Sequence, residues 1–147
     1  MEEISKIIKS RIQNVGRRFH SNDNISEFMH DGDLEKLQQE VELKFQSVLD
    51  SLVIDTDNDH NTQDTAKRVA KMYVNEIFGG RFKKQPKITA FPNMGYKSLY
   101  TSGPISIRST CAHHFQNIVG KAWIGIVPED EVIGLSKFNR LVHHIAE

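Results

Sequence analysis

The chain has 147 residues, 38% of them hydrophobic, with 19 basic and 19 acidic residues and a net charge of zero. That length suits one domain, or one domain with an arm, and the balanced charge gives no whole-chain basis for binding nucleic acid or an anionic membrane. No apolar run approaches the ~20 residues that span a bilayer, the acidic start Met1-Glu2-Glu3 is not a secretory signal, and the single cysteine forms no internal disulfide, so the cytoplasm is the expected compartment.

Taken in order, Ile4, Ile7, Ile8, Ile12, Val15 and Phe19 recur at three- and four-residue spacing and predict an amphipathic helix. Its stripe has two candidate partners, a second subunit or its own domain. Two polar stretches, Ser21–Asn24 and Met29–Asp33, read as a mobile linker. Asp33 is the candidate cap of a second helix, whose apolar face is Leu34, Leu37, Val41, Phe45, Val48, Leu49 and Leu52. Asp55 to Asn61 resembles the opening of a calcium-binding loop, but the sixth position holds His60 where glycine is needed and the twelfth holds Ala66 where glutamate is needed. An acidic helix-entry loop accounts for it better. A third helix is predicted over Thr65–Phe78, with Val69, Met72, Tyr73 and Ile77 on one face and Gly79-Gly80 as its stop.

From Tyr96 the period changes. Leu99, Thr101, Ile105 and Ile107 predict a strand, bulged or bent at Gly103-Pro104, and Ile118–Pro128 predicts its antiparallel partner. Pro128–Glu131 reads as a turn. A last helix follows with Ser136 as candidate cap and Phe138, Leu141, Val142 and Ile145 as its buried stripe.

Chemistry concentrates in two places. Cys111 and His114 stand three apart beside a strand end, where a thiolate and an imidazole suit one zinc ion. The alternative is a buried cysteine beside surface histidines. In an extended segment His113 would face the other way and serve as a proton carrier. At the start of the last helix, Ser136, Lys137 and Arg140 form a candidate phosphate cradle, since free N–H groups and cations favour an anion there. An ordinary capped helix is the alternative. Arg68 and Lys71 are surface neighbours on the third helix, equally readable as a solvated basic edge. His144 falls near the Lys137–Arg140 side. A zinc-type site and a phosphate site in one small domain suit a hydrolase acting on a phosphorylated small molecule.

Four stretches carry a resemblance: Ser109-Thr110-Cys111-Ala112-His113-His114-Phe115, Gly120-Lys121-Ala122, Val132 to Val142, and Thr65 to Phe78. Together they resemble type I GTP cyclohydrolase, from about residue 33 onward. The resemblance implies an α+β tunnelling fold. In it an antiparallel hairpin and helix, preceded by N-terminal helices, form the first half of the catalytic unit. The expected division is a helical arm and linker over 1–32, a helical region over 33–95, and the first half of the catalytic domain over 96–147. It further implies a homodecamer with substrate sites between subunits, and hydrolytic opening of the GTP imidazole ring to formate and 7,8-dihydroneopterin triphosphate. Zinc would activate the attacking water. By that resemblance Cys111 and His114 are zinc ligands and His113 handles protons. Ser136, Lys137 and Arg140 hold the triphosphate, with Arg68 and Lys71 reaching in from a neighbouring subunit.

Two departures stand out. The family usually has glutamate where this chain has Ala112. The family also continues with a further helix and two strands bearing the third zinc ligand, a cysteine, and the glutamate that anchors guanine. The expectation is thus a fragment or split-gene product of an enzyme. A non-catalytic subunit of such an assembly is the alternative, and another tunnelling-fold enzyme is the third reading.

Overall fold

The structure, a computed structural model, describes residues 3–147. It is a mixed helix-and-sheet chain, α+β as expected, and its contacts divide it into two compact units, residues 1–83 and 84–147.

The first unit is helical. Helix α1 spans Ile4–Asn14 and α2 spans Asp33–Ser51. Ile4, Ile8 and Ile12 recur every fourth residue, and all three are buried with Ile25 and Leu37. Val41, Phe28, Met29 and Phe82 close over them. The stripe of α1 is therefore covered within its own unit, whereas Val15 and Phe19 of the predicted stripe lie beyond the helix and are exposed. Each buried isoleucine contributes about 2 kcal/mol of hydrophobic stabilisation. Helix α1 ends where Gly16 adopts φ 65°, so that the Arg17 N–H reaches the Ile12 carbonyl at 3.1 Å.

The stretch that reads as a mobile linker is tied down instead. The Arg81 guanidinium donates to the carbonyls of Phe19, His20, Ser21 and Asp23 at 2.6–3.2 Å. Asn24 donates to the carbonyls of Gly80 and Lys83, and buried Ile25 anchors the middle. Polar residues look like a linker in sequence, but one guanidinium offers five donors and satisfies several carbonyls at once.

Asp33 is not the cap of α2. Gly32, at φ 80°, takes the cap position, and Asp33 is the first helical residue with only 4% of its surface exposed. Its carboxylate accepts hydrogen bonds from the Arg11 guanidinium and from the His30 N–H at 2.8 Å. Farther along α2 the expected apolar face thins. Leu37 is buried, but Val48 and Leu52 are exposed, and Val53 adopts φ 59° with 91% exposure. A β-branched residue in the left-handed region costs about 1–2 kcal/mol. Val53→Asn is therefore expected to raise stability by about 1 kcal/mol, read as a higher urea midpoint at unchanged slope.

Helix α3 spans only Thr65–Met72. A π-helical turn, Tyr73–Ile77, follows, closed by the Phe78 N–H on the Tyr73 carbonyl at 2.9 Å. Gly79-Gly80 then open a short helix α4, Gly79–Phe82, rather than stopping α3. Both glycines are buried. The deepest face of this segment is Ala66, Ala70 and Val74, not the predicted face of Val69, Met72, Tyr73 and Ile77, which is only half-buried. Small side chains let α3 lie close on α2, and Tyr73 meets Phe45 with ring centres 5.3 Å apart.

The second unit holds four strands and one helix. Strands β1, Ala90–Pro92, and β4, Glu131–Ile133, pair antiparallel. Strands β2, Tyr100–Thr110, and β3, Asn117–Ile126, form the predicted antiparallel hairpin. Its register shifts between Ser102 and Ile105, at the expected Gly103-Pro104 irregularity. Gly103 is required there, because a Cβ would lie 2.6 Å from Trp123 Cδ1 and 2.9 Å from the Ala122 carbonyl. Helix α5, Leu135–Ala146, packs on β2, burying Phe138 and Ile105 and setting Phe138 against Tyr100. The β1–β4 pair has no sequence signal. Each strand has three residues, too few to show alternation.

Candidate metal and phosphate site

Strand β2 ends at Thr110, paired with Asn117 in the last rung, and Cys111 follows. A tight turn then reverses the chain. The Cys111 N–H donates to the Gln116 carbonyl at 2.9 Å, and the Phe115 N–H donates to the Cys111 carbonyl at 2.8 Å. Phe115 takes φ 53° to allow this closure. Residues 112–114 lie in the turn, not in extended chain, so the alternation that would turn His113 away does not operate. His113 Nδ1 lies 3.8 Å from Cys111 Sγ.

The backbone N–H groups of His114 and His113, then their imidazoles, lower the Cys111 thiol to about 6. Hydrogen bonds to the charged form favour it. Below pH about 6 the thiol is protonated; above it the thiolate dominates. In the metal-free chain, alkylation of Cys111 by iodoacetamide is expected to rise with pH through a midpoint near 6, where an unperturbed thiol would do so near ~8.5. A midpoint above ~8 would show that the neighbouring N–H groups and imidazoles do not lower the thiol.

A thiolate and imidazoles are the donor types zinc favours. The turn fits zinc in kind but supplies only part of a set. Among the described residues no group of three or more His, Cys, Asp or Glu side chains is arranged to hold a metal. Ala112 is exposed and adds no donor.

The second cluster lies at the start of α5. Gly134, not Ser136, occupies the cap position, and no side chain caps the helix. Ser136 is the second helical residue because the chain turns into the helix one step earlier, with the Lys137 N–H on the Gly134 carbonyl at 2.8 Å. The first turn contains no acidic residue. Ser136 and Arg140 are exposed, and Lys137 is half-buried. Free N–H groups, a hydroxyl and two cations one turn apart make a surface suited to phosphate. His144 is half-buried, one turn beyond Arg140.

These two clusters do not share one end of the hairpin. Phe138, within the Ser136–Arg140 turn, packs on Tyr100 at the first rung of β2, whereas Cys111 follows the last. At ~3.3 Å per residue, roughly 36 Å of strand separates Tyr100 from Cys111.

In the helical unit, Arg68 and Lys71 are both exposed on α3. Arg68 is not a loose solvated cation. Its Nη2 donates to the Asn61 carbonyl at 3.0 Å, and its Nη1 lies 3.8 Å from an Asp64 carboxylate oxygen. Sequence reasoning missed this support. The Asp-rich spacing of Asp55–Asn61 was its only trace.

An antiparallel hairpin ending in a cysteine–histidine turn, followed by a helix whose first turn is cationic and free of carboxylates, defines an α+β protein. The profile of the family described as GTP cyclohydrolase I matches residues 41–147. The GTP cyclohydrolase 1 of Yersinia enterocolitica is 41% identical over 117 residues, covering 78% of this chain and 53% of the relative. That of Tolumonas auensis is 41% identical over 112 residues, covering 75% and 51%, and that of an Enterobacter species is 46% identical over 92 residues, covering 61% and 41%. The chain belongs to the GTP cyclohydrolase I family. It spans about half the length of the curated relatives it matches.

Proposed function

We propose that this chain contributes the first half of a zinc-dependent GTP cyclohydrolase I. In this reading the imidazole ring of GTP is opened by hydrolysis, C8 leaves as formate, and the product is 7,8-dihydroneopterin triphosphate, a precursor for folate, pterin or deazaguanine synthesis in the cytoplasm. The observation that carries the reading is the family match over residues 41–147, which includes the turn that sets His113 Nδ1 3.8 Å from the Cys111 sulfur.

Cys111 and His114 would hold zinc, with a further ligand from outside the described set. Bound there, zinc would supply Lewis acidity and lower the pKa of water. His113, beside the sulfur, would move protons at the purine ring. Ser136, Lys137 and Arg140 would bind the triphosphate, joined by Arg68 and Lys71 of a neighbouring subunit. The separation of the two clusters along β2 supports a site assembled from more than one copy. The open β2–β3 hairpin, with Ile118, Val119 and Trp123 exposed, supports a tunnelling-fold barrel shared between subunits, a homodecamer in the family pattern. Among the described residues no helix is long and apolar enough to cross a membrane.

The partial ligand set favours a second reading, a subunit that needs a complementing polypeptide or is not catalytic. Incubation with GTP and zinc, alone and with a polypeptide supplying the family's remaining segment, separates the two. Enzyme activity gives a product that becomes fluorescent on oxidation and disappears when a chelator removes the metal. A zinc-loaded, complemented protein that yields no fluorescent pterin would leave the second reading standing.

A further inference from the structure

We propose that the loop Asp55–Asp64 is the mount of Arg68, holding its guanidinium in place before an anion arrives. This rests on the reading of Arg68 as a triphosphate contact and adds the residues that position it. The loop is acidic, yet its polar groups are turned on itself. Asp55 Oδ1 accepts the N–H groups of Asp57 and Asn58 at 3.0 and 2.9 Å. Asp59 Oδ1 accepts both the N–H and the side-chain amide of Asn61, each at 2.9 Å. The Thr62 hydroxyl donates to the carbonyls of Asp55 and Asp59, and the Gln63 amide donates to the Asp57 carbonyl.

These bonds fix the Asn61 peptide on both sides. Asp59 holds its N–H side and Thr62 stitches the residue after it to the start of the loop. The Asn61 carbonyl thus held faces α3, and Arg68 Nη2 donates to it at 3.0 Å. Asp64, one turn before Arg68, adds a carboxylate 3.8 Å away. The Arg68 side chain remains more than half exposed, at 58%. A guanidinium has five donors, so a guanidinium anchored through Nη2 keeps others for a ligand. Lys71, its neighbour on the same face, has a flexible stem that must be ordered on binding. Arg68 is the pre-oriented member of the pair, and ordering it in advance removes a cost otherwise met at binding. Thr62 and Asp59 are therefore positioning residues that act through Arg68.

A double-mutant cycle tests this, with inorganic tripolyphosphate as the probe and isothermal calorimetry as the readout. Thr62→Val is expected to weaken tripolyphosphate about five-fold in the parent chain and to have no effect in an Arg68→Ala background. Asp59→Ala serves as an independent second variant with the same expectation. The NMR order parameter of the Arg68 Nε–H in the free chain is expected to fall in both variants. Equal weakening in both backgrounds, or an unchanged Arg68 order parameter, overturns the mount. If Arg68→Ala alone leaves tripolyphosphate binding unchanged, Arg68 is not an anion contact, and the underlying reading fails rather than the mount alone.

Discussion

In the proposed enzyme, complemented by the family's remaining segment, Cys111→Ser is expected to lower zinc-dependent turnover of GTP about 10³-fold, because a metal contributes several kcal/mol and each ~1.4 kcal/mol is tenfold in rate. The physical reason is local. The neighbouring backbone N–H groups of His114 and His113, and then their imidazoles, lower the Cys111 thiol to about 6, so the thiolate is available near neutral pH. A serine hydroxyl in the same turn is neutral at that pH and is a poor zinc ligand. The neighbours then separate by role. His114→Ala is expected to lose zinc along with activity. His113→Ala is expected to keep zinc and lose about 10²- to 10⁴-fold in turnover, the range for a missing general acid or base. Metal content by mass spectrometry, read beside turnover, distinguishes them. Because His113 Nδ1 lies only 3.8 Å from the sulfur, the comparison has real content. Loss of zinc from His113→Ala and not from His114→Ala would exchange the two assignments.

Asp33→Asn is expected to destabilise the helical unit by about 3 kcal/mol, a large fraction of a typical domain's stability. The Asp33 side chain is 5% exposed and that of Arg11 25%. Burial alone would raise the Asp33 carboxyl, but the hydrogen bond from Arg11 and the N–H of His30 outweigh it and hold it below its usual range. Asparagine keeps the shape but leaves Arg11 facing a neutral group. The sign of the pH effect follows. A carboxyl lowered in the folded state contributes fully above its unfolded pKa of ~3.9 and loses that contribution as pH falls through the folded value. Urea unfolding of the parent is expected to weaken on acidification below pH ~4. Asp33→Asn is expected to show a smaller slope there. Equal acid slopes in the two proteins would show that Asp33 is not the responsible group.

The sequence was most legible where periodicity is long and chemistry is local. Ile4, Ile8 and Ile12 announce α1, and the bulge at Gly103-Pro104 follows from two residues that disrupt a ladder. Boundaries were less legible. Gly79-Gly80 look like a stop, yet a π turn hands the chain to another short helix that buries both glycines. Asp33 looks like a cap because aspartate favours that position, but it pairs with the half-buried Arg11 and stands one residue inside the helix. The linker reading of Ser21–Asn24 failed for a related reason: its partner, Arg81, is about 60 residues away and invisible to local pattern. In the candidate site, residue identities were legible and orientations were not. The direction of His113 depends on whether residues 112–114 are extended or turned, and a positive φ at Phe115 decides that.

The most direct test of the proposed chemistry follows one carbon. GTP labelled at C8 is incubated with the zinc-loaded protein, complemented where needed by the family's remaining segment, and with its Cys111→Ser variant. Label appearing in formate with the parent, and about 10³-fold more slowly with the variant, is the expected result. Label retained in the nucleotide by the parent, or released equally fast by Cys111→Ser, would contradict a ring-opening site built on the Cys111 turn.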